Sequence, residues 1–184
     1  MHVIATKQLR DVKIIEPASY EDPRGFFMES YNSREFQAAG ISLAFIQDNQ
    51  SLSKEAGIIR GLHYQLEPKA QTKLVRVLTG AIFDVAVDLR RGSSTFGHWT
   101  GVVLSESNRR QLLIPKGFAH GFCTLVPNTQ VFYKTDEYYT PECDRGIAWD
   151  DDFIGIDWPV RNPMLSLKDR DLPKLDEAEI NFTI

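Results

Sequence analysis

Arg60 and His63 lie close together in Ile58-Ile59-Arg60-Gly61-Leu62-His63-Tyr64-Gln65, a run that reads as a β-strand. An imidazole titrates at about 6.5, so it can take or give a proton at neutral pH. In a straight strand their spacing sends the two side chains to opposite faces. Gly61 between them is a natural bulge position, and a bulge would bring both to one face. A strand histidine can equally be a hydrogen-bonded structural residue, and spacing alone leaves that open. Lys73 shares strand parity with Val75 and Val77. If the strand begins before it, its ammonium points into an apolar interior, which is costly unless the charge is paired or used. If the strand begins after it, the ammonium stays in water. Tyr133 has the parity of Val131, so its phenol, which keeps its proton at neutral pH, can also face inward.

Positioning such a set requires short, closely spaced elements. Turn signals recur along the chain at Asp22-Pro23-Arg24-Gly25, Gly57, Pro68, Gly80, Arg91-Gly92-Ser93, Pro115-Lys116-Gly117, Pro127-Asn128 and Thr140-Pro141. Between them lie β-rich segments at Val12–Ile15, Ile58–His63, Leu74–Leu78, Ala81–Leu89, Gly101–Leu104, Gln111–Ile114, Gly121–Leu125 and Thr129–Lys134. This pattern predicts an all-β barrel or sandwich with few helices. From Val75 to Leu89 the odd positions are almost all apolar, which predicts a strand pair with one buried face and a turn at Gly80. Asp84 falls on the other parity, pointing away from Lys73, and reads as structural. Asn32 with Glu35 forms a capping-box pattern ahead of Phe36 and Ala39, and Gly40 is a good terminator, so a short helix is predicted there. Residues 163–180 can hold one or two further helical pieces, broken at Pro173.

Composition narrows the class of function. The chain has 184 residues, a size expected to form one domain spanning 1–184. Lys plus Arg number 21 against 25 Asp plus Glu, a net charge of −4, which argues against a nucleic-acid or membrane-surface binder. No apolar run is long enough to span a bilayer, and the start has no apolar core of signal-peptide length. The two cysteines, Cys123 and Cys143, lack paired spacing and fit free thiols in a reducing cytoplasm.

Ile114-Pro115-Lys116-Gly117-Phe118-Ala119-His120-Gly121-Phe122 is more specific. Its Pro-x-Gly-x-x-His resembles the second motif of the cupin superfamily, a small jelly-roll barrel. Metal cupins supply a His-x-His pair in their first motif, but the matching stretch here reads His63-Tyr64-Gln65. Two histidines without an evident carboxylate partner are thin for a first-row metal. A cupin-type jelly-roll barrel with a few short peripheral helices and no catalytic metal is therefore expected.

Over nearly its whole length the sequence resembles the dTDP-4-dehydrorhamnose 3,5-epimerases. The motifs that carry the resemblance are Asp22-Pro23-Arg24-Gly25-Phe26-Phe27-Met28-Glu29, Gln47-Asp48-Asn49, Arg60-Gly61-Leu62-His63-Tyr64-Gln65, Gln71-Thr72-Lys73-Leu74-Val75, Pro115 to Phe122, Tyr133-Lys134, Tyr138-Tyr139 and Leu165-Ser166-Leu167-Lys168-Asp169. The family reaction, as the resemblance implies, inverts C3 and C5 of dTDP-4-dehydro-6-deoxy-D-glucose without an external cofactor, giving dTDP-4-dehydro-β-L-rhamnose. Inversion beside a ketone needs a base, a cation for the enolate oxygen and an acid on the opposite ring face. The resemblance assigns His63 as base with Asp169 behind it, Asp171 being the near alternative. Lys73 becomes the enolate stabiliser and Tyr133 the acid. Substrate-binding candidates are Arg24, Arg60 and Lys168 for phosphate, and Gln47, Asn49 and Glu29 for base or ribose. Tyr139 and Phe27 are candidates for stacking, His120 for sugar or phosphates, and Glu142 completes the set. The resemblance also implies a cytoplasmic homodimer in which the Arg24–Glu29 segment reaches the partner's pocket.

Rival readings remain. A mono-epimerase acting at C3 or C5 alone could carry the same base and acid. A 3,4-ketoisomerase of the same barrel is expected to use a second histidine near His63, and Gln65 stands there instead. A non-catalytic sugar-nucleotide-binding cupin is disfavoured by His63, Lys73 and Tyr133 occurring together.

Overall fold

The frequent turn residues cut the chain into short strands, and the computed structural model describes residues 1–184. In chain order the elements are β1 (His2–Ala5), β2 (Lys13–Glu16), β3 (Ser19–Asp22), β4 (Gly25–Met28), α1 (Ser33–Ala38), β5 (Gln47–Ser53), β6 (Ile59–Gln65), β7 (Lys73–Thr79), β8 (Ala81–Asp88), β9 (Trp99–Ser105), β10 (Gln111–Ile114), β11 (Phe118–Thr124), β12 (Thr129–Thr135), β13 (Asp144–Gly146) and α2 (Leu167–Arg170). Two antiparallel sheets form a jelly roll. One has the order β1-β2-β10-β7-β12-β5 and the other β13-β6-β11-β8-β9. The hairpin β3–β4 forms a separate two-stranded sheet.

Three apolar layers hold the sheets. Between them Val75, Val77, Ile82, Ala86, Leu112 and Val131 make the interior cluster. Outside the five-stranded sheet, Val85, Val87 and Leu89 pack under the C-terminal segment, with Trp158, Ile180 and Phe182. Outside the six-stranded sheet, Leu74 and Leu113 are covered by Phe36 of α1 and by Ile41. Asn32 caps α1 by accepting from the Arg34 and Glu35 amides, and Gly40 follows the helix at φ +79°. In 163–180 only the single turn α2 forms, ahead of Pro173. No helix is long and apolar enough to cross a membrane.

The run from Val75 to Leu89 corrects the sequence reading in two ways. β7 and β8 do not pair, because they belong to different sheets and Gly80, at φ +84°, carries the chain across. The crossing also reverses the sense of the alternation. Val75 and Val77 face the interior with Ile82 and Ala86, whereas Val85, Val87 and Leu89 face outward. Asp84 has the parity of Ile82 and Ala86, so it faces the same interior as Lys73. Both faces of β8 are buried, so an apolar alternation there could not reveal the reversal.

Candidate active site

The pairing of β6 with β11 sets the site. His63 lies opposite His120 and Arg60 opposite Phe122, with the register shifting between His120 and Phe122. Gly61 and Leu62 thus face one residue, Gly121. This bulge turns Arg60 and His63 to the same cavity. Gly61 takes φ +126°, and a Cβ on it would lie 2.6 Å from Gly121 Cα and 2.8 Å from the His120 carbonyl. Only glycine lets the two strands approach this closely.

The cavity has a volume of about 490 Å³. The five-stranded sheet contributes Arg60, His63, His120 and Phe122 to its wall, and the facing sheet contributes Ser51, Lys73 and Tyr133. The segment from Met164 to Asp169 closes a third side and is tied to Ile58 by a parallel bridge at Met164. A cleft of about 530 Å³ elsewhere, lined by Arg91, Phe96, Phe153 and Lys174 among others, contains no histidine or tyrosine.

Two carboxylate–imidazole pairs face this space. His63 Nε2 lies 2.6 Å from Asp169 Oδ1. Asp169 is held at the start of α2, where its amide donates to the Ser166 hydroxyl at 3.0 Å. Burial works to raise the Asp169 carboxyl, but the hydrogen bond and charge of His63 outweigh it and hold the group below the usual carboxylate range. Asp171 is the C-cap of α2 and makes no bond to His63. The second pair joins His120 Nε2 to Asp84 Oδ1 at 2.7 Å, with Asp84 fully buried. Burial lowers His120 despite the pull of Asp84.

Lys73 does start inside the strand and lies in the cavity wall, its Nζ donating to the His63 carbonyl at 3.5 Å. Burial pushes it down to about 8, while the charges of Asp144 and Asp84 pull it back up. Tyr133 is pushed above its ordinary value, first by burial and then by Asp144. The register places Tyr133 beside Val75 and Thr135 beside Lys73, so phenol and ammonium are neighbours on one wall.

At the rim Asp144 accepts from Tyr139 Oη at 3.0 Å and pairs with Lys168. Sequence reasoning missed Asp144, which sits on a three-residue strand where no alternation exists to mark a face. Gln47 and Asn49 lie opposite Thr135 and Tyr133, on the face of β5 that looks to the cavity. Gln47 Nε2 donates to Asn49 Oδ1 at 2.9 Å, and Gln47 Oε1 accepts from the Tyr139 amide at 3.0 Å. Glu142 is exposed in the turn Pro141–Cys143, and only its backbone carbonyl is used, by Arg145. Arg24, Phe27 and Glu29 lie on and after the β3–β4 hairpin, outside this cavity. Arg24 pairs with Asp22, Phe27 is exposed, and Glu29 accepts from Asn32 Nδ2 at 3.1 Å. No group of three or more His, Cys, Asp or Glu side chains is arranged to hold a metal ion.

Comparison with known proteins gives a consistent result. The family described as dTDP-4-dehydrorhamnose 3,5-epimerase matches residues 6–177. The epimerase of that name from Shigella flexneri is 53% identical over 180 residues, covering 97% of this chain and 98% of its own length. A crystal structure of the Bacillus anthracis enzyme, with TDP and PPi bound, superposes with a TM-score of 0.91 at 57% identity, covering 94% of this chain and 98% of that one. A dTDP-6-deoxy-D-glucose-3,5-epimerase from Legionella pneumophila, in complex with dTDP-4-keto-L-rhamnose, gives a TM-score of 0.91 at 47% identity, covering 96% and 93%.

Proposed function

The chain belongs to the dTDP-4-dehydrorhamnose 3,5-epimerase family, an isomerase of nucleotide-sugar metabolism with a cupin-like fold, and from that premise we propose how its cavity performs the reaction and what it binds. The substrate is dTDP-4-dehydro-6-deoxy-D-glucose. The reading rests chiefly on one observation: His63 and Tyr133 stand on facing sheets of one cavity, with Lys73 beside Tyr133.

With Nε2 donating to Asp169, His63 has Nδ1 available as a base. It takes the proton from a carbon flanking the C4 ketone, and the electron pair moves into the C4 oxygen. The Lys73 ammonium offsets that developing charge, which in a half-dry cavity is worth far more than in water. Tyr133 returns a proton from the opposite ring face and regains one from solvent, while His63 releases its own. One turn of this sequence inverts one centre, and a second turn at the other flanking carbon completes the conversion. Protons out and in balance, so the scheme calls for no redox partner.

Arg60 and Lys168 take the diphosphate, since cationic donors match phosphate oxygens. Gln47 and Asn49 bond base or ribose, and Tyr139 stacks on the pyrimidine. Arg24, Phe27 and Glu29 serve the pocket of a second copy. A two-stranded hairpin is marginal alone, and β3–β4 carries Tyr20 and Phe27, each 68% exposed. A homodimer covers them. The two free thiols fit a cytoplasmic setting, and the whole chain acts as one epimerase domain.

Proton NMR of the substrate in D2O tests the reading. Deuterium should appear at both C3 and C5, and label at only one carbon would favour a mono-epimerase. His63→Ala should stop exchange at both carbons while still binding dTDP. Exchange that persists in this variant would remove His63 as the base.

A further inference from the structure

We infer that Asp84 is a positioning residue: its hydrogen bond to His120 turns the Nδ1 lone pair of that imidazole towards a hydroxyl of the substrate's sugar ring. The inference rests on the cavity being the epimerase site and assigns His120 to the sugar rather than to the diphosphate.

The geometry begins with an arrangement that makes little sense as packing. Asp84 is fully buried on the interior face of β8, and only one of its oxygens is used. Oδ2 has no partner in the protein. A half-satisfied buried carboxylate is a poor way to stabilise a barrel. Its one bond goes to His120 Nε2, at 2.7 Å. An ionised carboxylate only accepts, so the proton of this bond belongs to Nε2. A neutral imidazole then keeps its lone pair on Nδ1. That nitrogen bonds to nothing in the protein, and it is not among the sealed, partnerless polar atoms, so it opens to the cavity that His120 lines.

The charge of the pair decides what Nδ1 meets. Around it stand His63 from β6, Lys73 from β7 and Tyr133 from β12. Asp84 makes the pair anionic, and Nδ1 offers a lone pair rather than a proton. Both features oppose a phosphate oxygen and favour a donor. The hexulose brings hydroxyl donors into the cavity, whereas the diphosphate has Arg60 and Lys168 to receive it.

Asp84→Asn tests this, because it keeps size and shape while its amide can donate to Nε2 and so reverse the tautomer. Turnover of the sugar nucleotide, measured as kcat/KM, should fall by about 100-fold, the kind of loss that misplacing the reacting ring produces. The Kd for dTDP, which lacks the hexulose, should stay within about 2-fold. Nitrogen-15 NMR of the imidazole should show the Nε2–H tautomer in the unaltered protein and its loss in the variant. A variant that turns over normally, or that loses dTDP affinity in step with turnover, overturns the inference. If Asp84→Asn does not fold, an Nδ1–H tautomer for His120 in the unaltered protein overturns it equally. Deuterium exchange at C3 and C5 by the unaltered protein separates the two levels, because its absence would remove the epimerase reading of the cavity itself.

Discussion

In the proposed mechanism Asp169 and Lys73 act on the reaction through different physics, and each makes its own prediction. Under that proposal the hydrogen bond to Asp169 fixes the tautomer of His63 and steadies the imidazolium that would form when His63 takes a proton. Asp169→Asn should lower kcat by about 100- to 10,000-fold with dTDP affinity retained, as steady-state kinetics and calorimetry would report. As the proposed enolate stabiliser, Lys73 can act only while charged. Its value of about 8 means the ammonium is present below that pH and lost above it. Burial is the main cause of that lowered value, with Asp144 and Asp84 pulling it up and Lys168 pushing it down. kcat/KM should therefore decline as pH rises through about 8. Lys73→Met should remove most of the activity and that alkaline limb with it. Lys73 and Tyr133 were legible as inward candidates because each shares strand parity with apolar neighbours. His63 sits at a bulge that breaks the alternation, and the roles of all three came from the family resemblance. Asp169 was not legible in this way, since one turn of helix has no periodicity, and only the family resemblance pointed to it.

At the scale of elements, the site depends on how strands 6 and 11 approach each other. Gly61→Ala would set a methyl 2.6 Å from the Gly121 Cα at a φ that L residues avoid. It should destabilise the fold by about 2–3 kcal/mol, read as a lower midpoint in urea. Any folded fraction should lose activity, because the bulge that aims both Arg60 and His63 would shift. The strands read correctly from sequence are those with an apolar face. Strand 5, Gln47–Ser53, escaped because its inner face lines a polar cavity and its outer face is solvated, leaving Leu52 as its sole apolar residue. The β3–β4 hairpin escaped for a related reason, as it pairs with neither sheet and shows no core-facing pattern. The crossing at Gly80 hid Asp84, because an unbroken run of alternating residues spans a change of sheet.

At the scale of the molecule, the proposed dimer makes each pocket a joint product of two chains. Size-exclusion chromatography with light scattering should give twice the 21.0 kDa chain mass. Arg24→Ala and His63→Ala should each be nearly inactive alone. Mixed and reassorted, they should recover about a quarter of the intact sites, since half of the dimers would be mixed and each would carry one complete pocket. No recovery would place Arg24 in its own chain's site or out of catalysis. The Gly80 crossing carries a consequence for altering this scaffold. A connection longer by a single residue would shift strand 8 one step in its slot, swinging Phe83 and Val85 inward and pressing the Asp84 carboxylate into the greasy layer beneath the C-terminal segment. Both sides of that strand are walled in, so neither arrangement would expose a conspicuous apolar surface. The count of residues in one tight connection therefore governs the polarity of the reaction chamber, and insertions there should silence the enzyme even where every reacting side chain is kept.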